Sequence, residues 1–171
     1  MSKVLLVIDM QNDFVIGSLG TKEAQDIVPN VVAKLKEAKE NGDKILFTKD
    51  THYENYMDTL EGERLPIPHC IRYSDGWELI PQLQPYTENT STIDKSTFGY
   101  LTWLSWIPQE TKEIELVGVC TDICIISNAL ILRAVFPNKK ITVNSSCCAG
   151  VTPESHTNAL NAMKMCQIDI I

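Results

Sequence analysis

Short apolar runs alternate along this chain with stretches of helical period. Residues 4–8, Val-Leu-Leu-Val-Ile, form an unbroken apolar run, which marks a strand covered on both faces. Residues 27–39 follow with helical spacing at Ile27, Val31, Val32, Leu35 and Ala38; Pro29 suits the first turn and Asn41-Gly42 the stop. Residues 44–48 read as a second strand. A long polar region then runs from Asp50 to about Asp75. Loops of that length are usually functional. A short helix is expected around Glu78-Leu79-Ile80, a third strand over 92–95 and a helix over 98–106. Residues 113–119 give a fourth strand, and 122–135 a strongly apolar helix ended by Pro137-Asn138. A fifth strand over 140–144, a last helix over 153–166 and a clipped sixth strand over 168–171 complete the pattern.

Strand–helix alternation with apolar strands predicts a three-layer α/β/α sandwich around a mostly parallel, Rossmann-like sheet of about six strands. With no repeat or linker, 1–171 reads as a single domain. Ligand sites in such sheets lie beyond the carboxyl ends of the strands. Asp9, Asp50 with His52, Lys95, and Cys120 with Cys124 fall at four successive strand ends.

Charge narrows the function. Fifteen Lys and Arg against 22 Asp and Glu give a net charge of −7 and no basic tract, which argues against nucleic acid. No apolar stretch reaches the ~20 residues of a membrane span, and the N-terminus lacks a cleavage site, so a cytoplasmic protein is expected. Six cysteines in a reducing compartment are expected to be free thiols. The expected partners are a small-molecule substrate and further copies of the chain in a homo-oligomer.

Cys124 is the strongest single candidate for chemistry. It lies where a strand gives way to a helix, whose free N–H groups favour a thiolate and can hold an oxyanion. A lone cysteine there would more often be core; the company of Asp9 and Lys95 reverses that weighting. Asp9, desolvated at a strand end, could accept the thiol proton, and Lys95 would favour the charged species. Cys120, four residues before Cys124, does not have CxxC spacing and is expected to lend its backbone. Asp50, His52, Glu61 and His69 form a second set, suited to Zn²⁺, Mn²⁺ or Fe²⁺, with Glu63 competing for the glutamate position. An ordinary polar loop is an equally good reading of that set taken alone. His156 reads as a surface residue.

Val7-Ile8-Asp9-Met10-Gln11-Asn12-Asp13-Phe14, Lys95 and Gly118-Val119-Cys120-Thr121-Asp122-Ile123-Cys124 together resemble the isochorismatase-like cysteine hydrolases. With Asp50-x-His52 and Pro68-His69-Cys70 added, the chain is most similar to the nicotinamidase/pyrazinamidase branch. The resemblance implies a catalytic triad of Asp9, Lys95 and Cys124 and a cis peptide between Val119 and Cys120. It also implies an oxyanion site from the backbone of Cys120 and Cys124, with Phe14 against the substrate ring. One divalent ion, Zn²⁺ first, would be held by Asp50, His52 and His69 with Glu61. The implied reaction is nicotinamide to nicotinate and ammonia through a thioester, a step of NAD salvage. The alternatives are a hydrolase of another small amide and a non-catalytic binding protein. The chain departs from the usual pattern at Val15-Ile16-Gly17-Ser18-Leu19-Gly20 and at Ile67-Pro68, where many relatives carry Pro-Gly-Gly and Trp-Pro.

Overall fold

The computed structural model describes residues 3–171. Six strands form one sheet: β1 (Lys3–Ile8), β2 (Lys44–Asp50), β3 (Ser91–Lys95), β4 (Glu113–Val119), β5 (Lys140–Ala149) and β6 (Asp169–Ile170). Their order is β3-β2-β1-β4-β5-β6, and every neighbouring pair is parallel. The main helices are α3 (Val28–Asn41), α5 (Ile126–Val135) and α6 (Pro153–Met165); α1 (Asn12–Val15), α2 (Lys22–Asp26) and α4 (Leu60–Arg64) are single turns. No helix among the described residues is long and apolar enough to cross a membrane.

The apolar run of β1 has its explanation in the layers. Val4, Leu6 and Ile8 pack on the face that carries Leu132 of α5 and Met163 of α6, while Leu5 and Val7 pack on the face that carries Val31 and Leu35 of α3. Strand alternation thus feeds two cores. Each such side chain contributes roughly 1.5–3 kcal/mol on burial. Gly42, at φ 71°, ends α3 in the left-handed conformation that the Asn-Gly pair predicts.

β1 and β4 lie side by side at the centre, and the order of strands reverses there, which opens a crevice at their carboxyl ends. Gly118 makes the close approach possible: its φ is 119°, and a Cβ would stand 2.1 Å from the Ile8 carbonyl oxygen. A side chain at this position would push apart the two strands that carry Asp9 and the cysteine turn.

Several expected elements differ. Residues 78–80 are not helical, because Leu79 bridges to Gln11 and the Ile80 N–H donates to the Met10 carbonyl at 3.0 Å. Of the helix expected over 98–106, only a 3₁₀ turn at Trp103–Ser105 forms. Asn128 binds the Phe98 carbonyl and the Tyr100 N–H, and this fixes the segment as a loop. β2 runs on to Asp50, so that residue closes the strand and does not follow it. β5 continues past Asn144 to Ala149; a register shift between Leu116 and Gly118 of β4 accommodates its polar middle. The helix expected from Asp122 starts with a wide π turn, Thr121–Ile125, before α5.

Candidate active site

Three strand ends deliver three buried groups to one point. Asp9 follows β1 at φ 51°, a left-handed conformation that Asp tolerates better than most residues. Its carboxylate Oδ1 accepts a hydrogen bond from the Thr48 hydroxyl at 2.6 Å, and its N–H donates back to Thr48 at 3.2 Å. Lys95, the last residue of β3, reaches across β2 and β1, with Nζ 2.6 Å from Asp9 Oδ2 and 3.6 Å from Cys124 Sγ. The cysteine sits in the π turn after β4. The Val119–Cys120 peptide is cis, as the resemblance implies.

Burial and neighbouring charge set the protonation states. Desolvation raises the Asp9 carboxyl above its usual range, and Lys95 only partly offsets it. Burial, reinforced by the charge of Asp9, pushes the Cys124 thiol well up. For Lys95, burial acts downward, but the charges of Asp9, Cys124 and Asp50 prevail and hold it above its normal value. The resting arrangement is therefore a protonated thiol beside a charged ammonium and a carboxylate of raised proton affinity. Cys120, which is not beside the lysine, is pushed up to about 12, mainly by burial and then by Asp122.

The second set also assembles. One donor atom each from Asp50, His52, Glu61 and His69 lies within 4.8 Å of all the others. Asp50 Oδ2 is 2.9 Å from His52 Nε2 and 3.7 Å from His69 Nε2; Glu61 Oε1 is 3.6 and 3.7 Å from the same two nitrogens. Glu63 is exposed and outside the group. The polar segment after β2 folds back to make this possible. The His52 N–H donates to the Cys70 carbonyl at 3.0 Å and the Arg72 N–H to the His52 carbonyl at 2.9 Å. His69 Nδ1 is hydrogen-bonded to the Ile67 carbonyl at 2.9 Å, which leaves Nε2 bare and inward, as a ligand requires. Two imidazoles and two carboxylates at this separation fit a divalent metal ion. Burial works against ionisation of Asp50, but the imidazoles of His52 and His69, then Lys95, hold its carboxyl well below the usual range.

Asp50 joins the two sets: its Oδ1 lies 3.4 Å from Lys95 Nζ, while Oδ2 faces the histidines. Cys124 of the first set and Asp50, Glu61 and His69 of the second line one cavity of about 620 Å³. Phe14, Leu60, Phe98, Ile123 and Val151 form its apolar walls, and Cys120 and Cys124 its floor. The Phe14 ring, one of these walls, stands edge-on to His69 with the ring centroids 5.5 Å apart.

Several supporting residues receive no role from the sequence alone. The Gln11 side chain bonds the Asp50 N–H at 2.7 Å, the Asp50 carbonyl at 2.9 Å and the Trp77 carbonyl at 2.8 Å. Tyr56 is buried, with its ring against both His52 and His69. Asn128 donates to the Cys124 carbonyl at 2.8 Å as well as to Phe98. Asn12-Asp13 next to Phe14 offered one hint: Asp13 Oδ2 accepts from the Cys70 N–H at 2.8 Å and so anchors the histidine loop. His156 is half-buried and hydrogen-bonded to Thr121, not the surface residue its helix start suggests. Among the cysteines, 70, 147 and 148 are buried, 166 is exposed, and all six are free.

The chain belongs to the isochorismatase family: the family model described as Isochorismatase domain matches residues 3–171. The structure of a nicotinamidase/pyrazinamidase from Bacillus subtilis superposes with a TM-score of 0.87 at 28% identity, over 99% of each chain. A pyrazinamidase of Pyrococcus horikoshii, solved in complex with zinc, gives 0.84 at 29% identity over 100% of this chain and 99% of that one. A protein of Arabidopsis thaliana described as a probable inactive nicotinamidase is 31% identical over 172 residues, 94% of this chain and 87% of its own.

Proposed function

We propose that this protein is a cysteine amidohydrolase whose preferred substrate is nicotinamide, released as nicotinate and ammonia. The observation that carries the reading is the position of Lys95 Nζ, 2.6 Å from Asp9 Oδ2 and 3.6 Å from Cys124 Sγ, directly behind a cavity that Cys124 lines together with Asp50, Glu61 and His69. A structural lysine has no need of a thiol, and a buried core thiol has no need of a charged pair. The B. subtilis and P. horikoshii relatives point to the same chemistry.

In this reading Asp9 takes the proton of Cys124 as sulfur attacks the amide carbonyl. Lys95 keeps the developing thiolate and the Asp9 carboxylate in contact with positive charge. The carbonyl oxygen becomes an oxyanion held by the N–H groups of Cys120 and Cys124. The C–N bond then breaks, and nitrogen leaves as ammonia with the proton that Asp9 had taken. Water, deprotonated by Asp9, adds to the thioester; the C–S bond breaks, the proton on Asp9 returns to sulfur, and the acid departs as its carboxylate, its own proton passing through solvent to the ammonia. Asp50, His52, Glu61 and His69 would hold the metal, Zn²⁺ first, and the bound ion would supply a Lewis-acidic position for a ring nitrogen. Phe14 would lie against the ring.

The test is kcat/KM by ammonia release for nicotinamide, pyrazinamide and benzamide. Sites built on a polar contact reject analogues that leave it unmade, by about 10⁴ in strong cases. Nicotinamide and pyrazinamide should turn over, and benzamide at least about 10²-fold less well. Equal rates would show that the ring nitrogen is not read. The cavity of about 620 Å³ has room for amides other than a pyridine amide, so turnover of other amides with none on nicotinamide would select the second reading, a hydrolase of another small amide.

Metal content gives an independent check. Purified protein is expected to carry about one divalent ion per chain, and His52→Ala or His69→Ala to lose it, since each removes one of four donors. Glu61→Ala should weaken binding and Glu63→Ala should leave it intact. Wild-type occupancy in both histidine variants, by elemental analysis, would place the ion elsewhere.

A further inference from the structure

The third histidine stands apart from the metal group, and nothing in the reaction above uses it. His156 lies in the first turn of α6, a helix fixed by Pro153 and by a reciprocal cap between Thr152 and Ser155. Its Nδ1 is 2.8 Å from the hydroxyl of Thr121. Thr121 is wholly buried and opens the turn that carries Cys124. Gly150 provides the space for this contact: a Cβ there would come within 2.9 Å of both the His156 Cβ and its backbone nitrogen. The next residue of the turn is tied to the same junction, because Asp122 accepts from the Val151 N–H at 3.1 and 3.3 Å. Two successive residues of the nucleophile turn are thus latched to the start of α6.

We propose that His156 is a positioning residue: through Thr121 it holds the backbone of the Cys120–Cys124 turn where its N–H groups can receive the oxyanion. The proposal rests on the hydrolytic reading given above. A π turn has wide hydrogen bonds and needs outside support to keep one shape. Oxyanion donors act by pre-set alignment, and a displacement of about 1 Å can cost about 10²-fold in rate. Burial lowers the proton affinity of His156, so the ring is neutral near pH 7 and keeps both a donor and an acceptor nitrogen.

Positioning of donors and reactivity of sulfur can be separated by experiment. Alkylation of Cys124 by iodoacetamide is a substitution at carbon and needs no oxyanion donor, whereas amide hydrolysis does. Thr121→Val and His156→Gln are expected to lower kcat by about 10- to 100-fold with KM little changed. Their alkylation rates should stay within about twofold of wild type. Thr121→Ser, which restores the hydroxyl, should recover most of kcat, and the double variant should lose no more than either single one. If Thr121→Val does not fold, His156→Gln and Thr121→Ser decide the matter. Unchanged kcat in the variants overturns the proposal, and so does a parallel fall of kcat and alkylation rate, which marks a merely structural bond. A wild-type protein that hydrolyses no amide removes the hydrolytic reading and this one with it; wild-type turnover with indifferent variants removes only this one.

Discussion

Cys124→Ala is expected to abolish amide turnover, by 10⁴-fold or more, while the protein stays folded. Loss of a nucleophile costs on the order of 10⁴–10⁶ in kcat, because the covalent route disappears and only binding and oxyanion contacts remain. The side chain is small and 5% exposed, so deletion of one sulfur costs about 1 kcal/mol of stability. Cys120→Ala is the paired control. Its thiol sits in the same cavity, but it lacks the contact that Lys95 makes with Cys124. Its loss should cost less than about tenfold, since its backbone and not its sulfur is used. Equal losses in ammonia-release assays of the two variants would indicate a dithiol mechanism and overturn the assignment. Retained activity in Cys124→Ala would remove the thioester altogether.

Lys95→Met should damage both activity and stability. Lys95 is 3% exposed and faces the carboxylates of Asp9 and Asp50 at once. Removal of one member of a buried charge group leaves the others uncompensated, at about 3–5 kcal/mol. In a chain of 171 residues that corresponds to a fall in Tm on the order of 10 °C. Turnover should fall by roughly 10²–10⁴-fold, because the thiolate and the Asp9 carboxylate lose their shared cation. The pH dependence follows from Asp9. Burial raises its folded pKa above the unfolded value, so its ionisation destabilises the folded state as pH rises. Without the lysine that effect grows. The stability deficit of Lys95→Met should therefore be largest at pH 7–8 and shrink as pH falls toward 5. A deficit independent of pH, by thermal melts across that range, would mean that lost packing and not lost charge is the cause.

The sequence was most legible where chemistry and period coincide. β4 over residues 113–119 was read to the residue, because an apolar strand ending at Gly-Val-Cys leaves no other register. Asp9, Lys95 and Cys124 were found because strand ends in a parallel sheet point to one crevice. The histidine loop was found because two of the three histidines, 52 and 69, fall within it. What escaped was set by contacts distant in sequence. Asn128 converts the stretch 98–106 from an amphipathic pattern into a loop, and no local rule contains that bond. Gln11, Tyr56 and His156 look like ordinary polar or aromatic residues until β2, the histidine loop and α6 are brought together. β5 was read too short because Ser145-Ser146 resembles a turn, and only the register shift against β4 carries the strand through it.

The two halves of the site are built from different materials. Asp9, Lys95 and the cysteine turn hang from the ends of strands locked in the middle of two cores, whereas His52, Glu61, His69 and the wall at Leu60 belong to one excursion of the chain between β2 and β3. Only Asp50 is shared by both. Exchange or lengthening of that excursion would leave Asp9, Lys95 and the cysteine turn on their strand ends and change the side of the cavity that faces them. The proposed reacting groups and one side of the cavity wall thus rest on separate segments, so that side can be rewritten through a single connection while Phe14, Phe98, Ile123 and Val151 stay in place.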